Sequence, residues 1–101
     1  MKVNYEIGMP TLIENENIES CIALCKKFNL DFVELNMNLP EYQADKIDIL
    51  KLKPACERED IFFIIHLDEN INICDFNKDV RNACIKTVLS TIEIAKHLME
   101  Y

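Results

Sequence analysis

Three short apolar stretches punctuate the chain: Val3 to Gly8, Phe32 to Met37 and Ile61 to Leu67. Each carries β-branched or aromatic residues and runs into a turn or a polar segment, the pattern of a strand. Their first residues, at positions 3, 32 and 61, stand 29 residues apart both times. A period near 30 gives room for a strand, a loop, a helix and a return loop, the parts of a βα unit.

The segments between these stretches differ in strength. Ile18, Cys21, Ile22, Cys25 and Phe28 recur at helical spacing, with Glu16 and Glu19 near the start and Lys26 and Lys27 in the last turn, where they oppose the helix dipole. In the second connection Pro54 predicts a loop from Asn38 to Lys53 and then a short helix to Glu59, because proline suits a first helical turn and breaks an interior one. The third segment predicts the longest helix, with Val80, Cys84, Val88, Ile92, Ala95 and Met99 on one stripe and Asn77 or Asp75 as N-cap.

Strand-helix repetition of this kind predicts an α/β fold: three consecutive parallel βα units forming one domain over residues 1–101. The strand order is 1-2-3 if all helices fall on one side, as in a barrel wall, and a doubly wound sheet is built from the same unit. Gly8 is the only glycine, so neither glycine-rich phosphate-binding loop of the nucleotide folds is present.

Composition narrows the function classes. Half of the residues are hydrophobic and 29% are charged, the mixture of a packed globular domain. Eleven basic against eighteen acidic side chains give −7, a field that repels a phosphate backbone, so nucleic acid is not an expected partner. No apolar run reaches the roughly 20 residues that span a bilayer, and the N-terminus has no apolar signal-peptide core, so a cytoplasmic protein with no membrane partner is expected. Five cysteines, Cys21, Cys25, Cys56, Cys74 and Cys84, are an odd number without a Cys-x-x-Cys pair, which predicts reduced thiols. Cys21 and Cys25 share the apolar helix face and are expected in the core.

In parallel α/β folds reactive side chains gather where strands end and loops leave the sheet. By the two-residue alternation of a strand, Glu34 and Asn36 point to one face and Val33 and Leu35 to the other, while His66 shares a face with Ile64 and Phe62. If Val33, Leu35, Phe63, Ile65 and Leu67 meet the helices, then Glu6, Gly8, Glu34, Asn36 and His66 line one polar interior wall. A carboxylate inside an apolar strand is costly unless paired or solvated, so Glu34 is expected either to bind a ligand or to bond a polar group on a neighbouring strand. His66 is a candidate substrate or metal ligand, or a satisfied strand-end histidine. Asp68 and Glu69 suit a hard cation or plain solvent exposure, and Tyr42 is placed either to stack on a sugar face or to pack against its own helix.

At these strand ends the chain resembles the xylose-isomerase-like barrel superfamily, which holds sugar isomerases, sugar-phosphate epimerases and endonuclease-IV-type repair enzymes. The likeness rests on "EIGMPTL", "LDFVELNMN" and "FFIIHLDEN" and spans essentially all 101 residues. It implies an incomplete (β/α)8 TIM barrel. The family's strand-two glutamate, after a Gly-x-Asp-like lead, matches Leu30-Asp31-Phe32-Val33-Glu34, here without the glycine, and its strand-three histidine matches His66. The resemblance makes Glu34, Asn36 and His66 substrate contacts, with His66 a metal ligand in the endonuclease branch. It also implies a divalent cation, but the carboxylates and histidine that hold it, and the two acid/base glutamates, belong to later strands.

Proton transfer beside a sugar carbonyl needs a positioned base and an electrophile, which Glu34 and His66 alone do not supply. A complete barrel of this kind takes about 250 residues. The expectation is therefore an N-terminal portion of a sugar (phosphate) isomerase or epimerase, inactive alone. The alternatives are a non-catalytic oligomerising or ligand-binding half-barrel, and an endonuclease-IV-like metal hydrolase, which the charge disfavours. Open strand edges and an uncovered interior face predict self-association as a homo-oligomer.

Overall fold

The computed structural model describes residues 5–99. In chain order it contains β1 (Gly8–Pro10), α1 (Ile18–Lys27), β2 (Phe32–Asn36), α2 (Ile49–Glu59), β3 (Phe62–His66) and α3 (Lys78–Met99). Two 3-10 turns, Pro40–Tyr42 and Ala44–Lys46, lie in the connection from β2 to α2. The three strands are parallel and ordered β1-β2-β3, as the repeat predicts for helices on one side.

Alternation along β2 builds the core. Val33 and Leu35 are fully buried. Val33 packs with Cys21, Ile22 and Cys25 of α1, Ala55 of α2 and Ile61. Leu35 packs with Tyr42 and Leu52, and Leu98 of α3 closes over that group. All three helices thus meet the same side of the sheet. Each such large aliphatic side chain contributes about 1.5–3 kcal/mol by leaving water. Met37 continues the alternation past the strand end and is also buried.

With Gly8 as the only glycine, the helices end without the residue that usually supplies a left-handed C-terminal turn. Asn29 (φ 55°) and Asp60 (φ 52°) take that conformation instead, as the two side chains best able to tolerate it. Leu30 and Ile61 then donate back to the carbonyls of Cys25 and Cys56, at 2.9 and 3.2 Å. The helix starts are capped by side chains: Asn17 accepts from Ser20 N–H (2.9 Å) and Asp48 from Leu50 N–H (3.0 Å).

Several sequence expectations are corrected. The first ladder begins at Gly8, where Val3 to Gly8 was expected; Val3 itself lies outside the described residues. Asp31 sets this register, because its carboxylate accepts from Ile7 N–H (2.8 Å) while its own N–H donates to the Ile7 carbonyl (2.6 Å). Gly8 then sits beside Phe32, and a Cβ there would stand 2.2 Å from the Phe32 ring. Glu6 precedes the strand, is exposed, and is not part of the interior wall. Phe28 caps α1 and is 61% exposed, so it leaves the predicted stripe, and Leu67, beyond the end of β3, is 37% exposed.

Helix α2 starts at Ile49, well before Pro54, and the proline lies inside it. The Asp48 cap and the burial of Leu52 and Ala55 outweigh the one backbone bond that proline removes. In α3, Asn77 is the N-cap, accepting from Asp79 and Val80 N–H. The packed side of this helix runs through Thr91, 5% exposed, and Leu98, and keeps the half-buried Cys84, Val88 and Ala95 of the predicted stripe, while Val80 and Ile92 leave it at 44% and 56% exposed. The Met99 side chain lies outside what is described.

Candidate functional site

The face of the sheet away from the helices is built in three rows by the strand register. Gly8, Phe32 and Phe62 are neighbours in the first row, Pro10, Glu34 and Ile64 in the second, and Asn36 and His66 in the third. The Phe32 and Phe62 rings stack at 5.1 Å between centroids and form an apolar floor. Polarity rises toward the carboxyl ends of the strands, where Asn36 and His66 stand side by side. Parallel strands are about 4.8 Å apart, and residues two apart on a strand about 6.6 Å. Glu34, Asn36 and His66 therefore fall within the span of one small polyhydroxy molecule.

Glu34 is half-buried between Pro10 and Ile64. The predicted alternative, a bond to a polar group on a neighbouring strand, does not form among the described residues: both register neighbours are apolar, and no hydrogen bond or ion pair reaches its carboxylate. His66 is exposed, and its ring likewise has no partner among the described residues. Asn36 is tied: its Oδ1 accepts from the backbone N–H (3.1 Å) and the Nδ2 (3.0 Å) of Asn38.

Sequence reasoning missed the residues that hold this wall in place. Thr11, 1% exposed, donates its N–H to the Glu34 carbonyl (2.8 Å) and accepts from Asn36 N–H at Oγ1 (3.0 Å), joining the end of β1 to β2. Asn38 accepts from Glu69 N–H (2.8 Å) and so ties the loop after β3 to the loop after β2. Gln43 Nε2 donates to the Met37 carbonyl and to Asp68 Oδ2 (3.4 Å). The readable signal was the polar spacing Asn36-Met37-Asn38, with Thr11 directly after Pro10.

Asp68 spends its carboxylate on this bracing and on Asn70 N–H (2.8 Å). Among the described residues no three His, Cys, Asp or Glu side chains converge on a point that suits a metal ion. His66 thus brings at most one donor, and the donor set of the described residues does not fit a metal centre. Tyr42 takes the packing alternative. It is 5% exposed in the core with Leu35 and Leu52, its hydroxyl has no partner among the described residues, and burial raises its pKa.

A separate cleft of about 260 Å³ opens on the helix side between the starts of α1 and α2, with Glu19, Glu41, Tyr42 and Lys51 among its walls. Lys51 bonds Glu19 across it and holds that carboxyl below its usual range. Glu34, Asn36 and His66 do not line it.

Cys21 and Cys25 are fully buried free thiols, as expected. Burial, helped by the neighbouring Cys25, pushes the Cys21 thiol up to about 11, and burial raises Cys25 and Cys56 as well. None is activated as a nucleophile. No helix of the described residues is long and apolar enough to cross a membrane. The chain matches no protein-family model, no curated protein and no solved structure.

Proposed function

We propose that this chain supplies the substrate-side wall of an incomplete (β/α)8 barrel of the sugar (phosphate) isomerase and epimerase kind. In this reading Glu34, Asn36 and His66 hold hydroxyls of a small sugar or sugar phosphate. The observation that carries it is the row structure of the open face: two polar side chains without a partner among the described residues, Glu34 and His66, flank a braced Asn36 toward the carboxyl ends of parallel strands. Unpartnered polar groups at such a position are the usual means of recognising a polar ligand.

The same chemistry makes the chain a binder that does not turn substrate over. Glu34 is one carboxylate, and enediolate chemistry needs a second group to take or return the proton and an electrophile at the oxygen. Five free thiols, two of them in the core, support a reducing, cytoplasmic setting.

Titration of the isotope-labelled chain with ribulose 5-phosphate, followed by amide chemical shifts, tests this reading. Shifts are expected at Glu34, Asn36, His66 and the loops after β2 and β3, at millimolar concentrations because one wall encloses little of a ligand. His66→Ala and Glu34→Gln should each weaken binding several-fold without unfolding, since His66 is exposed and Gln has the size and shape of the half-buried Glu34. Shifts confined to the cleft between α1 and α2, or identical binding by both variants, would remove the assignment. Isomerisation by the isolated chain above the Glu34→Gln level would remove the inactive half of it.

A further inference from the structure

Helix α3 carries a second apolar stripe that the rest of the described chain leaves uncovered. Ile85, Leu89 and Ile92 recur at four- and three-residue spacing and are 38%, 59% and 56% exposed. At about 100° per residue, Leu89 lies roughly 160° around the helix from the buried Thr91. The flank bearing Thr87, Ser90 and Ile94, with Lys86 and Glu93 at its edge, faces the Ala44–Lys46 turn of the same copy, so it does not account for the stripe.

The three βα units are short of burial. Its accessible surface is 7402 Å², against about 5,900 Å² for a compact monomer of this mass. The excess, about 1,500 Å², is larger than the roughly 800 Å² that each partner buries in a standard interface. The open sheet face and the α3 stripe share this excess, which leaves room for a cover of protein size on the helix.

The charges beside the stripe identify that partner. Lys86 and Glu93 are both exposed and lie seven residues apart at the border between the stripe and that flank, and within one copy Glu93 Oε2 stands 3.8 Å from His97 Nε2. Let two α3 helices run antiparallel with Leu89 of each against Ile92 of the other. Each Lys86 then comes beside Glu93 of the second copy, and the two-fold axis makes this happen twice. Sliding the helices so that Leu89 meets Ile85 instead brings Glu93 toward Asp79 of the second copy, a repulsive pair. A head-to-tail contact of α3 on α1 gains less, because the exposed side of α1 offers Glu19, Ala23, Lys26 and Lys27, with a large apolar residue, Phe28, exposed only at the C-cap.

We propose that two copies of this chain pair through α3, antiparallel about a two-fold axis, with Leu89 and Ile92 interlocked and two Lys86–Glu93 ion pairs across the interface. This contact is independent of the ligand wall, which lies on the other side of the sheet. Sedimentation equilibrium of the full chain from micromolar concentrations upward should give twice the 11.8 kDa monomer mass. Leu89→Lys should yield a monomer with unchanged far-ultraviolet circular dichroism, because Leu89 supports nothing within one copy. Lys86→Glu and Glu93→Lys should each raise the dimer dissociation constant about tenfold, and the two together should restore it, since the ion pairs re-form with their signs exchanged.

A wild-type monomer at hundred-micromolar concentration overturns the proposal. So does a dimer indifferent to Leu89→Lys, or one dissolved by Ile64→Lys on the open sheet face instead. Failure of the double charge reversal to restore affinity overturns the antiparallel register.

Discussion

Cys21 shows how a single buried group sets the pH range of the fold. It is wholly inaccessible, and its thiol is held neutral up to about 11, against an ordinary 9.0. In the unfolded chain it ionises first, so above about pH 9 the unfolded state binds fewer protons and stability falls as pH rises. The contribution is complete below the unfolded pKa and is lost between about pH 9 and pH 11. Two pKa units correspond to on the order of 3 kcal/mol. Cys25, Cys56 and Tyr42, all raised chiefly by burial, act in the same direction. Urea midpoints should therefore drop between neutral pH and roughly pH 10, and Cys21→Ala should show a shallower drop than the wild type. A midpoint flat across that window would mean that Cys21 is not buried as described. Glu34 and His66 were legible from alternation alone, since a strand admits only two faces. Thr11 and Asn38 were not, because their roles depend on which loops the register brings together.

Helix α2 is the element where local rules conflict. Pro54 has no N–H and cannot bond the Leu50 carbonyl, yet the helix runs through it from Ile49 to Glu59. The Asp48 cap, the Lys51–Glu19 ion pair to α1, and the burial of Leu52 and Ala55 compensate. Pro54 is exposed, so Pro54→Ala restores the missing bond without disturbing the core. It should raise stability by about 1–3 kcal/mol, read as a higher urea midpoint with an unchanged slope. No gain would indicate that tertiary contacts already hold the Leu50 carbonyl in another arrangement. The same conflict explains why the sequence misled about this element. A proline at that position reads as a helix start, whereas the true start is announced only by Asp48 after a run of turns. Helix α3 misled for a different reason. Its apolar residues fit two stripes, and periodicity alone does not say which one, that of Thr91 and Leu98 or that of Ile85, Leu89 and Ile92, meets the sheet.

At the scale of the whole molecule, the 29-residue repeat made the parallel order β1-β2-β3 legible, and the alternation of Val33 and Leu35 made the helix side legible. How much surface that arrangement leaves bare was not, because it depends on summed areas and not on any motif. The radius of gyration is 15.1 Å, against about 13 Å for a compact chain of 100 residues. Both numbers describe a sheet with one open face and a long helix with one open stripe. A fold this exposed gains stability from whatever covers it, and if the cover is a second copy, mass action makes that gain depend on concentration. The thermal midpoint should then rise by on the order of 5 °C over a hundredfold increase in protein concentration. The Leu89→Lys variant should melt at one temperature throughout, close to that of the wild type at its most dilute. A wild-type midpoint independent of concentration would mean that the three βα units are held by their own core alone. The burial around Val33, Leu35, Cys21 and Leu52 would then have to supply all of the fold's stability.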